Sequence, residues 1–216
     1  MNLPFTTDEF FGVFARYNEA VWPMQMVLLA LAGTAALLAA TRWRWAGAVV
    51  SAVLAFLWCW LAIAYHISFF TDINPLAWGF ALVSLMGAGT FLWFGTIRRQ
   101  LVFGGVTLWR AVAGSLLIAF SLARYPVWSY QAGHPYPYLP TFGLPCPTTL
   151  FTVGILAFMK RPYPRSILVV PVFWSLIGSV AAFQLDVVQD MALIGSAAVG
   201  AVLMARSHPV QEAYGS

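Results

Sequence analysis

Charged residues are scarce in this 216-residue chain, where Asp, Glu, Lys and Arg together make up only 8% of the sequence. A soluble domain carries about 25% charged residues, so the composition excludes an ordinary water-soluble globular protein. Hydrophobic residues make up 61% and aromatic residues 16%, including ten tryptophans. Tryptophan is enriched at both membrane–water interfaces. The composition therefore predicts an integral membrane protein whose main partner is the lipid bilayer.

Cysteine and lysine are equally rare. The two cysteines, Cys59 and Cys146, form no Cys-x-x-Cys pair, so a structural disulfide is not expected. The single lysine, Lys160, lies outside every long apolar segment. No segment therefore carries the lysine that a rhodopsin needs to hold retinal. The P-loop, Gly-x-Ser-x-Gly and Gly-x-Gly-x-x-Gly fingerprints are also absent. The net charge of +4 comes from basic residues between apolar runs, so it indicates topology and no nucleic-acid partner.

Long apolar runs, by contrast, occur seven times. A transmembrane helix requires roughly 20 residues, with about 17–25 as the usual range, and the first three runs satisfy this easily. The fifth and seventh need flanking residues to reach across. The chain is therefore predicted to be all-α, a single domain (residues 1–216) built as a bundle of seven transmembrane helices. The predicted spans are residues 21–40, 45–66, 76–97, 111–127, 144–159, 166–183 and 187–204.

A short amphipathic helix is predicted before the first span. Glu9 follows Thr6 by three positions, as in a capping box. Phe10, Phe14 and Tyr17 then recur at the spacing of one helical face. This pattern predicts a helix that lies on the membrane with its aromatic side chains toward the lipid.

Charge predicts the orientation of the bundle. Nine of the eleven basic residues fall on alternate connections or in the tail, and six of the seven acidic residues fall on the other side. The positive-inside rule therefore places the N-terminus outside and the C-terminus in the cytoplasm, which requires an odd number of spans. The nine basic residues are Arg42, Arg44, Arg98, Arg99, Arg110, Lys160, Arg161, Arg165 and Arg206. The six acidic residues are Asp8, Glu9, Glu19, Asp72, Asp186 and Asp190.

Residues 134–149 interrupt the apolar pattern with five of the thirteen prolines. Proline restricts its own backbone and the residue before it, so this segment is predicted to be stiff and extended. Cys146 stands between two prolines at the start of the fifth span, where the helix dipole would favour a thiolate ligand or nucleophile. It is equally interpreted as a small buried residue at a tight helix start. Thr148 and Thr149 either bond back to their own helix or line an unwound entrance that faces a ligand.

Polar residues inside a membrane are costly and mark candidate sites. A layer of them is predicted on the outer side, and the proposed ligand-binding residues are Glu19, Arg124, Cys146, Thr149 and Asp186. For Arg124 two interpretations stand: its guanidinium extends to lipid head groups, or it pairs with a carboxylate or an anionic ligand. The carboxylates available for such a bridge are Glu19, Asp72, Asp186 and Asp190.

A metal site is the second hypothesis for the same layer. His66 and His134, with a carboxylate such as Glu19 or Asp186 or with Cys146, have the ligand types that zinc or another divalent metal requires. The His-x-x-x-His and His-Glu-x-x-His spacings are absent, so each histidine is also interpreted as an interfacial hydrogen-bonding residue.

Several stretches resemble a family of uncharacterised bacterial integral membrane proteins, known as a domain of unknown function. They are residues 1–5, 10–11, 17–23, 74–75 and 141–149, of which Pro-Cys-Pro-Thr-Thr is the most specific. The resemblance implies a multi-pass protein of the bacterial inner membrane and transfers no activity. We therefore predict a protein that binds or transports a small solute or ion through an outward-facing polar pocket. The alternatives are a membrane-embedded metal-dependent enzyme, or an accessory subunit with a partner in a membrane complex or in a homo-oligomer.

Overall fold

The structure is a computed structural model that describes residues 4–185 and 187–207. Its described residues fold into helices joined by short connections, with isolated β-bridges and no strands. Helices α2 to α8 coincide in order with the seven predicted apolar segments, which confirms the all-helical prediction. The helical segments are α1 Thr7–Ala20, α2 Met24–Ala40, α3 Ala46–Asp72, α4 Ala77–Ile97, α5 Leu108–Gln131, α6 Pro145–Leu156, α7 Ser166–Leu185 and α8 Val188–Ala205.

The lengths of these helices separate them into two groups. Five of them, α3, α4, α5, α7 and α8, are long and apolar enough to cross a membrane. Helices α1 and α2 together form a possible sixth span, broken by a bend of 90°. Helix α6 has only 12 residues and is therefore about 18 Å long, against about 30 Å for the hydrocarbon core. By length and composition the structure thus provides five crossing helices, or six with the bent pair.

Helix α1 begins with the capping box that the sequence predicts. The Glu9 carboxylate accepts a hydrogen bond from the Thr6 N–H at 2.7 Å, and the Thr6 hydroxyl accepts one from the Glu9 N–H at 3.2 Å. The Glu9 carboxylate accepts hydrogen bonds from the Thr6 N–H and from the Thr6 hydroxyl. These bonds, chiefly the one from the N–H, lower the pKa of Glu9 from its ordinary value. Phe11, Phe14 and Tyr17 are buried against the rest of the protein. Contact with the bundle therefore replaces the predicted contact between this aromatic face and lipid.

Helix α6 lies in the centre of the bundle, where every residue from Pro147 to Leu156 is buried. Two glycines allow α5 and α6 to pack at close range. A Cβ atom on Gly154 would lie 2.9 Å from the carbonyl oxygen of Gly114, and one on Gly114 would lie 2.7 Å from the carbonyl oxygen of Gly154. Protein therefore encloses α6 from Pro147 to Leu156.

The bundle has two ends, which we call the basic end and the opposite end. The basic end carries the loops of residues 41–45, 98–107 and 157–165, with most of the arginines. The opposite end carries α1 and the proline-rich segment 132–144.

Asn18 of α1 holds the proline-rich segment in place. Its side-chain amide donates to the carbonyl oxygens of Pro137 at 2.6 Å and Leu139 at 2.8 Å. Its amide oxygen accepts a hydrogen bond from the Thr141 hydroxyl at 2.6 Å. Together α1 and this segment close the opposite end of the bundle over the N-terminus of α6.

Candidate functional site

A cavity of about 590 Å³ lies between the N-terminus of α6 and helix α1. We call it the aromatic cavity, because phenylalanine, tyrosine and tryptophan side chains supply much of its wall. The aromatic rings come from the segment before α1 and from helices α1, α3, α4, α5 and α7. They are Phe5, Phe10, Phe14, Tyr65, Phe70, Phe80, Tyr125, Phe173 and Trp174.

His66 is a buried polar group on this wall. It lies in the π-helical stretch Leu61–Ile67 of α3, and such stretches are frequent at functional sites. Its ring stacks parallel to Trp174 of α7, with the ring centroids 5.1 Å apart. The side chain is only 1% exposed, and neither ring nitrogen has a hydrogen-bond partner in the described part of the chain. The imidazole therefore presents unsatisfied hydrogen-bonding capacity at the edge of an empty space.

Thr149 and Trp174 line the same cavity and, like His66, have a buried polar atom without a partner among the described residues. The Thr149 hydroxyl is 1% exposed and has no partner among the described residues, and the Trp174 indole N–H also lacks one. A buried polar group without a partner costs about 1–3 kcal/mol. Three residues that line one cavity thus carry polar atoms without a partner among the described residues, and such groups call for an explanation.

A cluster of three hydrogen-bonding side chains adjoins the cavity and joins three helices. The Tyr125 hydroxyl of α5 donates a hydrogen bond to the carboxyl group of Asp190 in α8. The thiol of Cys146 in α6 faces the same carboxyl group. Tyr125 and Cys146 also line the cavity, while Asp190 is only 4% exposed. The carboxyl group thus accepts a hydrogen bond from the Tyr125 hydroxyl and lies beside the Cys146 thiol.

The sequence-based site residues fall into different places. Cys146, Thr149 and His66 meet at the aromatic cavity, although they come from two separate helices. Glu19 is exposed and does not line the cavity. Asp186 lies outside the residues that the structure describes.

Arg124 also lies away from the cavity. It is exposed, donates a hydrogen bond to the side chain of Gln131 at 3.1 Å and lies over the ring of Trp128, 4.9 Å from its centroid. Within the described ranges the ion pair that forms joins Arg16 to Asp72 at 3.3 Å, and Arg124 has no acidic partner. This geometry fits the interpretation in which the Arg124 guanidinium extends to lipid head groups, and it shows no pairing with a described carboxylate.

His134 is separated from the cavity wall as well. Its ring stacks on Phe11 of α1, with the centroids 3.7 Å apart. Across residues 4–185 and 187–207, no group of three or more His, Cys, Asp or Glu side chains has an arrangement that could hold a metal ion. The described residues thus give the metal hypothesis no ligand set.

Two residues of the site, Tyr125 and Trp174, are missing from the sequence-based set, and a third, Asp190, appears there only as a carboxylate available to Arg124. For Asp190 a signal was available, because an acidic residue inside an apolar span is costly and marks a candidate site. Tyr125 and Trp174 had no such signal, since an aromatic residue near a span end is a typical interfacial anchor and one in mid-span is typical of core packing.

Comparison with known proteins supplies a family and no activity. No curated protein and no solved structure matches the chain. A family match covers residues 7–214, which is nearly the whole chain. On that match, the chain belongs to the family of unknown function DUF6064.

Proposed function

We propose that this protein is a multi-pass protein of the bacterial inner membrane that binds an uncharged, lipid-soluble molecule in the aromatic cavity. One observation carries the proposal: His66, Thr149 and Trp174 line the largely apolar cavity, and each has a buried polar atom without a partner among the described residues. Small-molecule sites combine an apolar lining with a few convergent polar groups in volumes of about 300–1,000 Å³. The cavity of about 590 Å³ has this size and this composition.

The charge of the cavity favours a neutral ligand. Among the described residues of its wall there is no Lys, Arg, Asp or Glu. A charged ligand would lose its hydration there without gaining a counter-ion, which is costly in an apolar site. The indole N–H only donates, whereas the hydroxyl and a neutral imidazole can each donate and accept. We therefore infer that the polar end of the ligand carries an oxygen that accepts hydrogen bonds, such as a hydroxyl, carbonyl, ester or ether group.

The position of the cavity mouth favours entry from the membrane. Leu76, Phe173, Leu176 and Val180 line the cavity and are also exposed on the outer surface of the bundle. In a bilayer these apolar side chains face acyl chains, so the mouth opens sideways into lipid. A molecule dissolved in the membrane thus fits this site better than the water-soluble solute or ion expected from the polar residues.

The proposed topology has α2 to α8 as seven membrane segments, with the N-terminus outside and the C-terminus in the cytoplasm. The excess of arginine at the basic end supports a cytoplasmic position for that end. In this arrangement α6 is too short to cross the membrane alone. The extended residues before it supply the rest of that crossing. The aromatic cavity then lies toward the outer leaflet.

A cavity-filling substitution tests the proposal. Ala181 lines the cavity, so Ala181→Phe is expected to weaken ligand binding about tenfold, or about 1.4 kcal/mol, within the 1–3 kcal/mol typical of overpacking. Ala119→Phe is the matched control, because Ala119 is an exposed helical alanine of α5 outside the cavity.

The probe for this test is a bromine-labelled fatty alcohol, which quenches tryptophan fluorescence on contact. We expect saturable quenching in the wild type and in Ala119→Phe, and weaker saturable quenching in Ala181→Phe. Trp174→Phe should remove most of the saturable signal, because Trp174 is on the cavity wall. Equal saturable quenching in both alanine variants would contradict the proposal.

A further inference from the structure

A second pocket, of about 190 Å³, lies at the basic end of the bundle. Four cationic side chains line it: Arg42, Arg44, Arg99 and Lys160. Its described wall contains no Asp or Glu, and among the described residues none of these four cations forms a salt bridge. We call this site the basic pocket. It lies at the end of the bundle away from the aromatic cavity.

The cations come from three separate loops that the fold brings together. Arg42 and Arg44 precede α3, Arg99 follows α4, and Lys160 follows α6. The last two loops are joined through backbone hydrogen bonds. The Lys160 N–H donates to the carbonyl oxygen of Val102 at 2.7 Å. The Gly104 N–H donates to the carbonyl oxygen of Phe158 at 2.9 Å. The backbone of Lys160 is thereby fixed beside the pocket.

Trp45 orders two of the guanidinium groups. The Arg99 guanidinium lies 4.3 Å from the centroid of the Trp45 ring and the Arg44 guanidinium 5.3 Å from it. Cation–π contacts of this kind stabilise a cation by about 0.5–1 kcal/mol at exposed sites. Arg99 also adopts a φ of 52°, a left-handed conformation that is uncommon for a residue with a Cβ atom. The turn brings its side chain back over the tryptophan.

The N-terminus of α3 borders the same pocket. Gly47 and Ala48 line it, and their N–H groups have no acceptor in the described part of the chain. The first N–H groups of a helix and its dipole favour an anion. Gly47 permits the close packing here, because a Cβ atom at this position would clash with the carbonyl oxygen of Leu101.

We propose that the basic pocket binds a phosphate group, and that in the membrane this is the head group of an anionic phospholipid. Guanidinium groups pair with phosphate oxygens in a bidentate geometry, and a clustered set of four cations is relieved by one anion. Basic pockets between transmembrane helices bind acidic lipid head groups. The exposed Trp43 beside the pocket is typical of the membrane–water interface, where such head groups lie.

The test uses the purified full-length protein in detergent and a short-chain phosphatidylglycerol as the probe. The probe is expected to raise the thermal unfolding midpoint and to bind saturably, whereas short-chain phosphatidylcholine has little effect. Arg99→Gln should weaken binding about fivefold, which corresponds to about 1 kcal/mol for one cation near a membrane surface. Lys160→Gln is a second variant with the same expected loss, and added salt should weaken binding further.

Arg98→Gln is the matched control. Arg98 is an adjacent, exposed arginine outside the basic pocket, where its guanidinium lies over Trp93 at 4.9 Å. Wild-type affinity in Arg98→Gln with a loss in Arg99→Gln would support the pocket, while equal losses in both would overturn it. Inorganic phosphate is the third arm, and saturable binding of phosphate without binding of phosphatidylglycerol would overturn the lipid assignment. Ala181→Phe should leave phosphatidylglycerol binding unchanged, so this result is independent of the aromatic cavity.

Discussion

Replacing Thr149 by valine offers the sharpest test of the aromatic cavity, because it removes one unpaired hydroxyl and keeps the shape of the side chain. The hydroxyl is buried and has no partner among the described residues. An unsatisfied buried group costs about 1–3 kcal/mol, so Thr149→Val should raise the free energy of unfolding of the unliganded protein by up to this amount. For a chain of this size each kcal/mol corresponds to a shift of about 2–4 °C in the unfolding midpoint.

Thr152→Val is the matched control on the same helix. Thr152 is also fully buried, but its hydroxyl donates to the carbonyl oxygen of Thr148 at 2.7 Å and accepts from the Trp58 indole N–H at 3.1 Å. The substitution removes both hydrogen bonds and leaves the indole N–H unpaired. We therefore expect Thr152→Val to lower the free energy of unfolding by about 1–3 kcal/mol. The same chemical change should thus have opposite signs one helical turn apart.

The assay is thermal unfolding of the delipidated protein in detergent, followed by titration with the brominated alcohol. Thr149→Val should unfold at or above the wild-type temperature and bind the probe more weakly, since the lost hydroxyl is a ligand donor. Thr152→Val should unfold earlier but bind the probe as the wild type does at low temperature. If Thr149→Val lowers the midpoint as much as Thr152→Val, the Thr149 hydroxyl is satisfied in the folded protein and the argument fails.

Two further predictions concern the Tyr125–Asp190 contact and the capping box. Tyr125→Phe removes a donor from a buried carboxyl group and should cost about 1.5–3 kcal/mol. Tyr163→Phe, which loses a single bond to a backbone carbonyl, should cost about 1 kcal/mol in the same thermal unfolding assay, and equal losses would contradict the stronger role of Tyr125. The pKa of Glu9 is lowered in the folded protein, so its stabilising effect is complete above the unfolded pKa and is lost as pH falls through the folded one. The difference in unfolding midpoint between wild type and Glu9→Gln should therefore narrow at acidic pH, and a constant difference would contradict this.

The helices were predictable because hydropathy and capping are local properties. An apolar run must satisfy its backbone as a helix whether lipid or protein surrounds it, so α2 to α8 follow the predicted segments closely. The capping box involves only Thr6 and Glu9, three residues apart, and needs no tertiary contact. The separation of basic from acidic loops is likewise visible in the linear sequence.

The surroundings of each helix were not predictable in the same way. Lipid and a protein interior both accept apolar side chains, so hydropathy does not distinguish the fully enclosed α6 from a helix that faces lipid. The aromatic face of α1 had the same ambiguity, and packing against the bundle decided it.

The candidate site depended on tertiary structure most of all. The sequence alone determined an all-helical, membrane-type chain with polar groups near the ends of its helices, including Cys146 and Thr149 at the start of α6. Only the tertiary structure brought Cys146 to Asp190 and stacked His66 on Trp174, because these pairs join helices that are distant in sequence. It also placed Thr149 beside a cavity with its hydroxyl unpaired among the described residues. The physical reason is that hydrogen-bond satisfaction is a property of the assembled neighbourhood, which no single segment contains.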